Sequence, residues 1–296
     1  MKKRVLSVAL IGCMAAALLS GCGSSSSKET KAETKTETTA ETTGETTAAA
    51  TTAGGVQKIV DAGKLKVGCK VDVPSFGYQN TSTGEYEGLE IDLSYAIAGE
   101  IFGVTAEEAK EQGLVEFQGV TAKTRGPLLD NGEVDMVAAT YTITDERKES
   151  WNFSTPYFQD ALGLMCLTAT GYTSMEDIDG AIIGVAQGST TKDAIQAYID
   201  ENNLGITVEF QEFDGYPALS AALSAGNIDI FSVDRAILAG YNDDTTMILP
   251  ERFGTQDYGV ATALSNTELA EVVDKVVTDM KADGSMDELI KKWGIE

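Results

Sequence analysis

Thr140, Thr142 and Arg147 stand close together in the segment Ala139-Thr140-Tyr141-Thr142-Ile143-Thr144-Asp145-Glu146-Arg147. Two hydroxyls and a guanidinium at that spacing suit a small carboxylate, because the guanidinium can fork two parallel hydrogen bonds onto it while the hydroxyls supply the rest. The segment closes the apolar run Val134 to Ala139, whose continuity predicts a strand buried on both faces of a parallel sheet. Ligands of open α/β sheets sit where such strands end. Thr144 is placed to cap a short helix that carries Arg147. A second polar group, Gly188-Ser189-Thr190-Thr191, follows the strand-like run Ala181 to Ala186 and precedes a helix packing Ala194, Ile195, Ala197 and Tyr198. Glycine lets the backbone approach closely there, and the free amides of a helix start attract an anion.

The elements that must position these groups come in two similar sets. Leu129 to Thr140 can be laid on Leu223 to Asp234, so that Leu129 matches Leu223, Gly132 matches Gly226, Val134 matches Ile228 and Asp135 matches Asp229. Each copy reads as a helix, a glycine stop and a buried strand, which predicts two α/β lobes facing one another across a cleft. The copies end on Thr140 and on Asp234, one polar residue from each lobe. Before them, Leu65 to Val71 is a strand whose exit, Asp72 to Tyr78, is a loop containing Pro74. An amphipathic helix follows with Leu93, Ala96, Ile97 and Ile101 on one face. Leu114 to Gln118 is the next strand, and Pro127 suits the first turn of the helix after it. Tyr258 to Leu264 reads as a strand returning to the first lobe, which makes a two-strand hinge able to close around a ligand. The boundaries expected are lobe 1 at 56–161 plus 256–296 and lobe 2 at 162–255.

The amino end reads differently. Met1 to Cys22 has a basic start at Lys2, Lys3 and Arg4, an apolar middle too short to span a bilayer, and the ending Leu19-Ser20-Gly21-Cys22, which together predict a secretory leader. That ending resembles a bacterial lipobox, with Cys22 as the lipidated amino terminus. Residues 23–55 are Ser, Thr, Ala, Glu, Lys and Gly with no aromatic or large aliphatic residue before Val56, a composition that cannot offset its ordering entropy and so predicts a disordered tether. The net charge of −24 argues against nucleic acid as a partner. The chain has no histidine, which removes Ser-His-Asp and Cys-His nucleophilic arrangements and the usual catalytic zinc sites. No cofactor and no metal are expected. Cys69 and Cys166 lie in apolar strand-like runs and are expected to be free buried thiols.

Several spaced motifs occur together in order: Glu87-Gly88 with Asp92, Thr142-Ile143-Thr144-x-x-Arg147, Phe153-Ser154-Thr155-Pro156-Tyr157, Gly188-Ser189-Thr190, and Lys291-Lys292-Trp293-Gly294. On these the chain closely resembles the family 3 extracellular solute-binding proteins, the polar amino-acid receptors of ABC importers, over nearly all of Gly63 to Gly294. The resemblance implies a type II periplasmic-binding-protein-like fold, α/β, with two Rossmann-like lobes joined by a two-strand hinge. It implies that Arg147, Thr142, Gly188, Ser189 and Thr190 hold an α-carboxylate, and that Asp234, Thr140 and Thr142 hold the α-ammonium. The segment Lys123-Thr124-Arg125-Gly126-Pro127-Leu128-Leu129 is most similar to the aspartate/glutamate-binding branch, and Ala122 stands where the family usually has a stacking aromatic. A buried unpaired cation is expensive, so Arg125 and Lys70, if turned inward, would wait for a distal carboxylate. Tyr216 and Thr191 are expected as hydrogen-bond donors there, with Phe76 packing beside the ligand.

The expected function is therefore a lipid-anchored, monomeric receptor on the outer face of the cytoplasmic membrane that hands acidic amino acids to a membrane permease and is not an enzyme. The alternatives are a receptor for another polar amino acid such as glutamine, a surface adhesin, or a dehydratase-type enzyme on the same fold. The last needs a general acid or base at a leaving group, and without histidine only a carboxylate such as Asp72 or a lysine could serve.

Overall fold

Asp135 and Asp229, matched in the internal repeat, make the same bond in two places. Asp135 Oδ2 accepts the Lys66 amide at 2.8 Å and Asp229 Oδ2 accepts the Ile182 amide at 2.8 Å, so each aspartate fixes the start of the parallel strand beside its own. Just upstream, Gly132 and Gly226 take φ of 68° and 70°, the left-handed turn that lets a helix stop and a strand begin. These paired devices lie in the computed structural model of the chain, which describes residues 55–295. The leader, Cys22 and residues 23–54 of the tether lie outside the described residues. The last expected tether residue, Gly55, instead opens the helix Gly55–Ala62.

Two main sheets result, and their strand orders match. In the first, Val115–Gly119 lies beside Leu65–Cys69, then Met136–Ala138, then Ala261–Ala263, then Trp151–Phe153. The second runs Glu209–Phe213, Ile182–Ala186, Ile230–Asp234, Phe158–Leu167 and Thr246–Ile248, with Phe253–Tyr258 also paired to Phe158–Leu167. Each sheet therefore has three parallel strands in the order second, first, third, followed by a strand that arrives antiparallel from across the hinge. That last feature corrects the expectation of a wholly parallel surround for Met136–Ala138, whose other neighbour, Ala261–Ala263, runs against it. A purely local apolar run does not reveal the direction of a partner more than a hundred residues away.

The hinge is likewise placed differently. The strands Phe158–Leu167 and Phe253–Tyr258 already belong to the second sheet, so the expected lobe boundaries at 161/162 and 255/256 fall inside paired strands. The crossing is made by residues 154–157 and 259–260, tied by Ser154 N to Val260 O at 3.0 Å and Tyr157 N to Tyr258 O at 2.9 Å. The expected single return strand is in fact two, one in each sheet, broken at Gly259-Val260. Cys69 and Cys166 sit buried and free, one in each main sheet.

Two of the family marks prove to be partners in scaffolding. Asp92, on the helix Leu89–Phe102, accepts Lys292 Nζ at 2.7 Å and Trp293 Nε1 at 2.8 Å, pinning the terminal helix Ser285–Lys292 to the first lobe. Gly88, at φ 132°, lets that first helix begin directly against the Phe76 loop, since a Cβ there would lie 2.1 Å from the Phe76 carbonyl oxygen. The following amides, Leu89 and Glu90, donate to Ser75 and Phe76 carbonyls at 2.8 and 3.0 Å. Glu90 is thereby driven into the interior.

Candidate functional site

The polar ends of the two repeats meet in the space between the lobes. From the first, Thr140 is buried at φ 43°, a left-handed conformation that costs a threonine roughly 1–3 kcal/mol and is kept only where surrounding bonds over-determine it. Those bonds are present. The Thr140 amide donates to Glu90 Oε1 at 2.5 Å, and its carbonyl accepts Arg125 Nη1 at 3.0 Å. From the second, Asp234 is buried at the head of the short helix Arg235–Ala239, with Oδ1 lacking any hydrogen-bond partner among the described residues. Burial, and then the charge of Asp160, pushes its carboxyl up to about 7.

Arg147 lies as the spacing predicts, on the helix Asp145–Lys148 whose cap, Thr144 Oγ1, accepts the Arg147 amide at 3.1 Å. Its guanidinium donates to the Thr142 carbonyl at 2.7 Å and, across the cleft, to the Gly188 carbonyl at 3.1 Å. Burial, then repulsion from Arg125, lowers it to about 10. Arg125 is almost fully buried; Nη1 donates to the Ala139 and Thr140 carbonyls at 2.7 and 3.0 Å, and Nε has no partner among the described residues. Both guanidiniums lie on the Tyr141 ring, at 3.9 Å for Arg125 and 4.8 Å for Arg147. Neither has a carboxylate within 4.0 Å among the described residues.

Lys70 departs from expectation. It is buried, but it is not an unpaired cation: Nζ lies 2.9 Å from Asp72 Oδ1 and 4.4 Å from the centre of the Tyr216 ring. Residues two apart on an extended chain share a face, so Asp72 comes with Lys70. Burial pulls the lysine down and Asp72 partly offsets it. Phe76 packs edge-on to Phe158 and Tyr258 as an apolar wall. Tyr216 is buried at the start of the helix Tyr216–Ser224, with its amide 3.4 Å from Asp72 Oδ2, and Thr191 is buried at the start of Thr191–Glu201. Gly188, Ser189 and Thr190 form the facing rim.

The lobes are closed on each other. Thr142 and Thr190, one from each lobe, both donate their hydroxyls to Gln256 Oε1, at 2.6 and 3.0 Å. Lys123 Nζ reaches Gln187 Oε1 at 2.9 Å, and Gly188, at φ 75°, fits against the Ala122-Lys123 backbone where a Cβ would stand 2.9 Å from Lys123 Cα. Outside this contact a cavity of about 470 Å³ is lined by Tyr141, Arg147, Trp151, Ser189, Thr190 and Asp193, among others. Among the described residues, Glu90 Oε2, Arg125 Nε, Thr140 Oγ1, Asp234 Oδ1 and Tyr258 Oη are buried without a hydrogen-bond partner. Unpaired buried polar atoms of both signs are groups that a small ligand bearing both signs would satisfy.

A family model described as bacterial extracellular solute-binding proteins, family 3, matches residues 65–296. The chain belongs to this family. Among its relatives is the ABC transporter glutamine-binding protein GlnH of Bacillus subtilis, 34% identical over 98% of this chain and 97% of that one. The glutamate-binding protein GluB of Corynebacterium efficiens is 29% identical over 78% of this chain and 79% of its own. Among solved structures, an ancestral arginine-binding protein bound to arginine superposes with a TM-score of 0.67 at 31% identity, over 78% of this chain and 98% of the other. As a member of this family, the chain is an extracellular amino-acid receptor of an ABC transporter. These relatives are binding proteins and not enzymes.

Reading the sequence missed four side chains of this site: Glu90, Tyr141, Gln256 and Tyr258. Glu90 left a signal, an acid that shares the buried helix face with Ser94 and Ile97 at the spacing of successive turns. Gln256 left none, because its role depends on how two distant turns meet.

Proposed function

We propose that the chain captures acidic L-amino acids, aspartate and glutamate, in this cleft. The α-carboxylate lies on Arg147 with Thr142, the amides of Gly188 and Thr190 and the Ser189 hydroxyl, since the Ser189 amide donates to the Ala186 carbonyl at 3.2 Å. The α-ammonium lies on Asp234, with the Thr140 carbonyl and Thr142 hydroxyl beside it. The distal carboxylate lies on Arg125, with Lys70 behind it, Tyr216 and Thr191 at its edge and Phe76 as the apolar wall. The observation that carries this reading is the charge left for a ligand: Glu90 also lacks a cation but is committed to the Thr140 amide and the Tyr157 hydroxyl, and beside it remain two guanidiniums without a carboxylate, Arg125 and Arg147, and Asp234, whose Oδ1 is partnerless among the described residues. An acidic amino acid has two carboxylates and one ammonium, the complement of that set. Charge-assisted bonds in a water-excluded cleft contribute about 1.5–3 kcal/mol each.

A second reading, glutamine, has two observations in its favour: Lys70 already holds Asp72, and the relative GlnH is by name a glutamine-binding protein. Calorimetric titration of residues 55–296 with glutamate, aspartate, glutamine, asparagine and arginine separates the two. Acids at least tenfold tighter than their amides are the expected result, and tight glutamine with inert acids would replace this reading by the second. The receptor works as a monomer tethered through lipid on Cys22, from which it serves its permease. A Cys22→Ser variant is expected to be released into the medium, and retention on the cell would contradict the anchor.

A further inference from the structure

Glu90 is fully buried and yet has no cation within 4.0 Å among the described residues. Oε1 accepts the Tyr157 hydroxyl, from the hinge, and the Thr140 amide, from the strained turn, while Oε2 accepts nothing from the described residues. Through Thr140 it supports the carbonyl that holds Arg125, the group assigned above to a distal carboxylate. A distal carboxylate on Arg125 would thus bring a second negative charge close to a carboxylate whose nearest cations, Arg125 and Lys70, lie beyond ion-pair distance and are already engaged. Two carboxylates sharing such a site do not both stay ionised at neutral pH.

We propose that Glu90 is the positioning residue that sets acid-versus-amide specificity: a proton from solvent settles on its free Oε2 when a distal carboxylate lands on Arg125, and none is needed when the ligand is the amide. The inference deepens the reading of the same cleft given above and rests on it. The neighbours leave Glu90 as the group that titrates. From the strand Leu65–Cys69 and its exit it faces Cys69, whose thiol burial holds protonated, and Lys70, already paired with Asp72. From the hinge it faces Tyr157, whose hydroxyl is pushed well up by burial and by Glu90, and from the helix Arg125–Asp130 it faces the permanent charge of Arg125. Burial already raises Glu90 itself to about 6, and an incoming anion raises it further. Asp234 titrates in the same range, but it meets the α-ammonium of either ligand and cancels in the comparison.

The test is calorimetry with glutamate and with glutamine in two buffers of different ionisation enthalpy, between pH ~6.5 and 7.5, a range set by these two carboxyls. Glutamate is expected to take up roughly half a proton more than glutamine, and its advantage over glutamine should grow as the pH falls. In Glu90→Gln the difference in proton count should vanish and the glutamate-to-glutamine affinity ratio should rise about tenfold. Equal proton counts in the natural chain, or a Glu90→Gln ratio within about twofold of the natural one, overturns the proposal. If that variant does not fold, the proton count of the natural chain decides alone. Should the natural chain prefer glutamine, the acidic reading falls, while the shift of the ratio in Glu90→Gln still decides the role of Glu90.

Discussion

The two lobes share a strand order, a glycine stop and an aspartate that pins the neighbouring strand, yet they bring opposite chemistry to the cleft. Lobe 1 supplies the cations, Arg125, Arg147 and Lys70, and with Lys70 its private counter-ion Asp72. Lobe 2 supplies Asp234 and the Gly188-Ser189-Thr190 rim. At the matched end of the repeat stand a strained Thr140 in one lobe and a buried Asp234 in the other. The repeated scaffold is the same in both lobes, while the strand ends differ, and in the proposed reading they take opposite poles of one ligand. With the poles so divided, a bound zwitterion would be satisfied only when both lobes reach it, and its binding energy would favour the closed arrangement.

Either pole can be removed by a single substitution. Arg147→Ala removes the lobe-1 group assigned to what every amino acid shares, and should weaken acidic and neutral ligands alike by about 10³-fold, with any loss confined to acids reassigning it. Asp234→Asn removes the lobe-2 pole and should cost about 10²-fold for every ligand, read by the same titration. An unchanged affinity would mean that the ammonium lies elsewhere.

The same asymmetry has a signature in stability. Asp234 and Glu90 are both raised by burial, to about 7 and about 6, so their contribution is fully present below the ordinary carboxylate range and is lost as pH rises through those values. The ligand-free receptor should therefore lose a few kcal/mol between pH ~4 and 7, and Asp234→Asn should flatten most of that slope. A thermal melt across that range checks it, and a natural chain with the same slope as Asp234→Asn would contradict the placement of Asp234. The smallest effect belongs to Gln256, which joins Thr142 to Thr190 across the cleft. Gln256→Ala should weaken all ligands by about fivefold without changing their order, as expected for one hydrogen-bonded bridge that favours closure.

Much of this was legible because it is local. The cap at Thr144, the glycine stops at Gly132 and Gly226 and the repeat itself are fixed by neighbours in the chain, and the helices follow from them. What was not legible depends on distant segments meeting. The antiparallel return strand beside Met136–Ala138, the split at Gly259-Val260, the Gln256 bridge and the shared Tyr141 ring all require knowing how the hinge crosses. The pairing of Lys70 with Asp72 stands between these cases. It was readable from alternation along an extended segment, and it removes Lys70 from the set of unmatched cations that an acidic ligand would satisfy.

Arg125 then carries the acidic preference, and the most direct measurement is the affinity of Arg125→Ala for glutamate and for glutamine by calorimetry. Glutamate should weaken by about 10²-fold while glutamine weakens less than about fivefold, because the lost partner is a full charge in one case and a neutral amide in the other. Equal losses for both ligands would contradict it and leave Arg125 as a brace for the Thr140 turn.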